Sequence, residues 1–94
     1  MEINYPTGNQ EARLRTLWRL AFGDPEELIA GFFASGYSPR HCRCAAENGN
    51  VAAALYWFDA EFRGQKFAYL YAVATHPDFR NRGLCRALMA DAAA

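Results

Sequence analysis

The sequence predicts a mixed α/β (α+β) fold: a short first strand, two helices, a three-stranded antiparallel meander and a closing helix. Three observations predict it. Apolar residues recur at helical spacing in two stretches of the first third of the chain and again after residue 83. Two uncharged runs, VAAALYWF (51–58) and FAYLYAVA (67–74), read as strands covered on both faces. Asn48-Gly49, the strongest short hairpin signal in the chain, stands just before the first of them.

Residues 2–5, EINY, read as the first strand. Thr7 with Gln10 fits a capping box, and Leu14, Leu17, Trp18 and Ala21 follow at i, i+3, i+4 and i+7, which predicts a helix from about residue 9 to 22. Its Arg13, Arg15 and Arg19 form a solvated face. Gly23-Asp24-Pro25-Glu26-Glu27 restarts a helix: Asp24 is placed to cap, Pro25 suits the first helical position, and the two glutamates favour the positive helix end. This second helix runs through LIAGFFAS to a stop near Gly36, with Leu28, Ile29, Phe32 and Phe33 as its apolar face. Residues 37–40 connect to a strand over 41–47, which pairs through Asn48-Gly49 with 51–58. Residues 59–66, polar and containing Gly64, join that strand to the one starting at Phe67. Pro77 ends the last strand, because it has no N–H for the ladder and biases His76 towards extended geometry. Leu84, Cys85, Leu88, Met89 and Ala92 then fall at i, i+1, i+4, i+5 and i+8, one face of an amphipathic helix.

The totals bound what such a chain can be. Its 94 residues make one modest domain, burying roughly 60 to 65% of the unfolded surface. Apolar residues at 52% and aromatics at 15% exclude a disordered chain. Ten basic and ten acidic residues balance to zero, so neither nucleic acid nor an anionic membrane is an expected partner. No uncharged run approaches the ~18 residues of a membrane span, and the start MEINYPTGNQ lacks a basic segment followed by an apolar one, which predicts a cytoplasmic protein. Cys42 and Cys44 fall on one face of a strand, yet C-x-C supplies only two ligands and no second pair at zinc-like spacing follows. With Cys85 they read as structural, reduced thiols, and no metal is expected.

The chemistry-bearing segment is Arg80-Asn81-Arg82-Gly83-Leu84-Cys85, at the expected start of the last helix. The first N–H groups of a helix have no internal partner and sit at the positive end of its dipole, so an anion can dock against bare backbone there. Gly83 removes the Cβ that would hold a diphosphate away, and Arg80 and Arg82 add fixed positive charge beside it.

In that setting the segment resembles motif A of the GNAT superfamily of N-acetyltransferases: Arg or Gln, two residues, Gly, one residue, then Gly or Ala, after the fourth strand. Arg80 and Gly83 match, while Cys85 stands where Gly or Ala is usual. The apolar strand before it, the V-A-T-H-P turn and the helix after it follow the family's order. The resemblance implies acetyl-CoA as cosubstrate, with backbone groups of Ala72, Val73 and Ala74 bonding the pantetheine in the manner of an added strand. It implies that Arg80, Asn81, Arg82, Gly83, Leu84 and Cys85 hold the diphosphate, largely through backbone amides.

The implied reaction is direct attack by an amine, whose identity is not legible, on the acetyl thioester within a ternary complex. In the family the first two helices flank the acceptor, so Phe32, Phe33 or Tyr37 would border the amine. No catalytic residue is singled out: Tyr69 and Tyr71 read as packing, His76 as a turn residue, and Glu47, Asp59 and Glu61 are unmarked. The family's fifth strand lies beyond motif A, and this sequence stops at Ala94 inside the helix. Residues 1–94 therefore read as the N-terminal portion of a single GNAT domain, the C-terminal half of the fold being absent. The fourth strand would then present an open apolar edge, which predicts homodimers or aggregates through residues 67–75. Two other readings stand beside this one: a non-catalytic acyl-CoA-binding or oligomerising module, and a small α/β interaction domain in which Arg-x-x-Gly is accidental.

Overall fold

The computed structural model describes residues 2–47, 50–80 and 82–93. Strand β1 (Glu2–Asn4) leads through a 3-10 turn to helix α1 (Glu11–Phe22) and then α2 (Glu26–Ser35). Strands β2 (Cys42–Glu47), β3 (Asn50–Phe62) and β4 (Gln65–Thr75) follow, and helix α3 (Leu84–Ala93) closes the chain. The sheet runs in the order β1-β2-β3-β4, with every neighbouring pair antiparallel. The mixed α/β order expected from the sequence is therefore the order observed.

Three layers result, because the sheet's central strands are apolar on both faces. On one face α1 and α2 bring Leu14, Leu17, Trp18, Ile29 and Phe33 against Cys42, Cys44, Ala54 and Tyr56. On the other, Leu88 of α3 packs against Ala45, Ala53 and Leu55. The small residues of β2 and β3 let helices approach from both sides. Burial of Leu14, Leu17, Ile29 and Leu88 contributes roughly 1.5 to 3 kcal/mol each.

Several local expectations change in the folded chain. The Thr7 and Gln10 pair forms, with the Thr7 N–H donating to Gln10 Oε1 at 2.9 Å, but a 3-10 turn over Gly8–Gln10 delays α1 to Glu11. Asp24 does not cap α2, whose N-cap is Pro25. Its carboxylate instead accepts the indole N–H of Trp18 at 2.8 Å, since a buried indole needs an acceptor more than an exposed helix start does. Leu28, expected on the apolar face of α2, is 63% exposed, because only the Ile29 and Phe33 side of this helix meets α1 and the sheet. Residues 59–66 are not a connector: β3 and β4 run on, and Arg63-Gly64, both at positive φ (53° and 80°), make a two-residue turn between the paired Phe62 and Gln65. Asn48-Gly49 lie outside the described residues, although Glu47 and Asn50 on either side are paired.

The largest departure concerns β4. It is the last strand of the sheet, and Tyr69, Leu70 and Tyr71 are 59%, 45% and 49% exposed rather than covered on both faces. Leu84, Leu88 and Ala92 of helix α3 face the sheet while Cys85 and Met89 lie exposed. Cross-sheet anchoring comes from Arg43, whose Nε donates to Asp91 Oδ2 of α3 at 2.9 Å. Its guanidinium lies 3.6 Å from the Tyr5 ring centroid and 5.3 Å from that of Trp57. Among the described residues no helix is long and apolar enough to cross a membrane.

Two substitutions measure this packing. Leu88→Ala should lower unfolding free energy by about 2 to 5 kcal/mol in a denaturant titration, through lost transfer energy and a cavity between α3 and the sheet. Tyr56→Phe should leave stability unchanged or raise it by about 1 kcal/mol, because the buried Tyr56 hydroxyl has no hydrogen-bond partner among the described residues.

Candidate functional site

The site is set by how β4 uses its hydrogen bonds. The His76 N–H donates to the Ala52 carbonyl at 2.8 Å, one step beyond the ladder in which Thr75, Ala74, Val73 and Ala72 oppose Ala53, Ala54, Leu55 and Tyr56. In an antiparallel pair, alternate residues turn their backbone groups towards the partner. With His76 bonded inward, Ala74 and Ala72 also face β3, and Thr75 and Val73 turn their N–H and C=O groups to the outer edge. No strand occupies that edge among the described residues.

The register slips next to this segment. Tyr56 opposes Ala72 while Trp57 opposes Leu70, which leaves Tyr71 as the extra residue of a bulge. The Tyr71 ring stacks on Phe32 of α2 at 5.3 Å between centroids and 8° between planes, and meets Phe58 at 5.1 Å. A half-exposed aromatic surface therefore flanks the lower end of the open edge.

At the upper end the chain turns into α3. Thr75 is the last strand residue, and Pro77–Phe79 form a single 3-10 turn. The turn is held by the Asp78 N–H donating to His76 Nδ1 at 3.1 Å and the Phe79 N–H donating to the His76 carbonyl at 2.9 Å. Gly83 adopts φ +72°, a conformation that disfavours any side chain, and a Cβ placed there would project into open space. The Ala87 N–H donates to the Gly83 carbonyl at 3.0 Å as the helical ladder begins, so the amides of Leu84, Cys85 and Arg86 precede it.

Edge and helix start enclose one groove of about 420 Å³, lined by Val73, Thr75, Phe79, Arg80, Gly83, Leu84 and Cys85, with Ala21 and Phe22 of α1 on the far wall. Chemically the groove offers an outward strand edge for an extended amide-bearing chain. It also offers bare amides with a guanidinium for an anion. Of the residues expected from the sequence, Val73, Arg80, Gly83, Leu84 and Cys85 come together here. Ala72 and Ala74 belong to the same strand but give their backbone groups to β3. Arg82 is exposed, its guanidinium 5.0 Å from the Phe79 ring centroid. Asn81 lies outside the described residues.

Thr75, Phe79, Ala21 and Phe22 were not anticipated. Strand alternation would have paired Thr75 with Val73 once a single inward bond was known, whereas the α1 residues arrive only through tertiary packing. The acidic candidates lie apart from the groove: the Asp59 carboxylate stands 2.9 Å from His41 Nε2, and Glu61 lines a different depression with Asp59 and Lys66. Phe33 is buried, while Phe32 and Tyr37 are half-buried.

The three thiols separate by burial. Cys42 and Cys44 are fully buried, and desolvation pushes both thiols up, that of Cys42 also through the neighbouring Cys44. Cys85 is exposed. Among the described residues no three His, Cys, Asp or Glu side chains form a cluster suited to a metal.

A family model described as an acetyltransferase (GNAT) domain matches residues 2–94. No curated protein matches the chain in sequence. Among solved structures, the ribosomal-protein-alanine N-acetyltransferase of Brucella melitensis biovar Abortus 2308 superposes with a TM-score of 0.76 at 17% identity, over 99% of this chain and 70% of that chain. The ribosomal-protein-S18-alanine N-acetyltransferase of Escherichia coli gives 0.73 at 23% identity, over 97% of this chain and 56% of that one. A GNAT family acetyltransferase from Brucella melitensis in complex with acetyl-CoA gives 0.74 at 16% identity, over 97% and 64%. The chain thus spans between 33% and 70% of such solved chains, and at these identities the likeness is one of fold.

Burial of the thiols leads to a direct test. Iodoacetamide at neutral pH should label Cys85 alone in the folded protein, with Cys42 and Cys44 reacting only under denaturant, as counted by intact-mass spectrometry. Three adducts in native buffer would mean that the β2 thiols are open to solvent.

Proposed function

The chain belongs to the GNAT acetyltransferase family, and on that premise we propose that it binds acetyl-CoA in the groove between β4 and α3 and serves N-acetyl transfer to an amine. The observation that carries the proposal is the juxtaposition of Val73 and Thr75, with outward backbone groups, and the amide-rich start of α3 at Gly83. Pantetheine carries amides that pair with a strand edge as another strand would. The diphosphate then meets the amides of Leu84 and Cys85, with Arg80 beside them. The residues present fit that group, because the space a Cβ would need at Gly83 is open.

Bound in this way, acetyl-CoA supplies an activated thioester for direct attack by the amine in a ternary complex. The chain's part is to hold the thioester end near the Tyr71 bulge, where the half-exposed Phe32 and Tyr71 rings form a wall for the acceptor. Burial of Phe33 favours Phe32 and Tyr71 over it for that role. A cytoplasmic setting, where acetyl-CoA is made and used, agrees with this reading.

Gly83→Glu places bulk and negative charge where the diphosphate lies, and acetyl-CoA binding should be lost in calorimetry. Arg80→Ala should weaken it by about 1 to 3 kcal/mol. Parent-like affinity in both variants would place the cofactor elsewhere.

A second reading, a non-catalytic acyl-CoA-binding or oligomerising module, draws on the exposed Tyr69, Leu70 and Tyr71 of the outer strand, which invite strand pairing with a second copy. It predicts dimers by light scattering and acetyl-CoA binding without thiol release across a panel of amines. Monodisperse monomer at high concentration together with turnover would remove it.

A further inference from the structure

Beyond the groove, a second cleft of about 590 Å³ opens on the α1 side of the β4–α3 turn. The two spaces share the ring of Phe79 as a wall. The cleft and the groove are therefore neighbours on either side of Phe79.

Its charge is supplied by α1. Arg15 pairs with Glu11 at 3.5 Å and Arg19 with Glu26 at 3.8 Å, so two of the three arginines on this helix are matched by carboxylates. Arg13 donates instead to the neutral side chain of Asn50, at 2.6 Å, which holds the guanidinium at the cleft without cancelling its charge. His76 lines the same cleft. Because its Nδ1 accepts from the Asp78 N–H, its Nε2 is left as a donor. Asp78 also lines the cleft, but its side chain is 83% exposed and its charge stands largely in water. A ring wall, a guanidinium and an imidazole donor make a site for a planar base carrying a phosphate.

We propose that this cleft seats the adenosine 3′-phosphate end of the acyl-coenzyme A, with Arg13 as the phosphate ligand, Asn50 positioning it and Phe79 offering its ring to the adenine. The inference rests on the acetyl-CoA reading above and adds to it the residues that distinguish coenzyme A from its 3′-dephospho form.

The test is calorimetric titration of the parent, Arg13→Ala and Arg13→Lys with acetyl-CoA and with 3′-dephospho-acetyl-CoA. The parent should prefer acetyl-CoA by about tenfold, as expected of one charge-assisted contact. In Arg13→Ala that preference should fall to about one, with affinity for the dephospho form unchanged, and Arg13→Lys should keep part of it. Equal affinities in the parent, or a preference that survives Arg13→Ala, would overturn the assignment. Failure of the parent to bind either ligand would instead overturn the acetyl-CoA reading and this inference with it.

Discussion

The one-sided hydrogen bonding of β4 is the constraint on which the rest of the molecule depends. A strand paired along one edge with β3 turns alternate backbone groups to the other edge, where no strand lies among the described residues. At Tyr69 to Tyr71 that edge is simply exposed. At Val73 and Thr75 it becomes one wall of a groove, because the chain turns back within a few residues and sets the start of α3 opposite. Outward strand groups and the first amides of the helix thus face the same space.

That arrangement needs the turn between the two elements to be stiff. Pro77 cannot continue the ladder, the Asp78 and Phe79 amides are taken up by His76, and Gly83 takes a backbone conformation open to few other residues. Helix α3 is then held at two points, by Leu88 in the core and by Asp91 on Arg43. Arg43 lies between Tyr5 and Trp57, a setting suited to a planar, weakly hydrated cation. The groove therefore sits on supports contributed by both ends of the chain.

On the opposite face Trp18 is the hub. Its ring contacts Phe22, Phe32, Phe33, Tyr56 and Tyr71, and its indole N–H fixes Asp24 at the junction of α1 and α2. One buried aromatic thereby couples the helix junction to the bulged strand beside the groove. The Tyr56 hydroxyl, buried beneath this cluster with its ionisation pushed strongly upward by desolvation, stays protonated there.

Much of this was legible in order but not in coverage. Helical spacing, the Asn-Gly pair and Pro77 are local signals, and they specify element type and sequence because backbone preference is decided by near neighbours. The placing of Arg80 and Gly83 at a helix start is equally local, since a helix start needs no distant residue to expose its amides. The sequence by itself therefore determined the succession of strands and helices and the position of the helix start. Tertiary structure alone decided that Leu28, Cys85 and Met89 face outward, that Asp24 serves Trp18, that Val73 and Thr75 rather than their neighbours reach the groove, and that α1 supplies its far wall. Each of these depends on which surfaces residues distant in sequence leave uncovered, and composition and spacing carry no record of that.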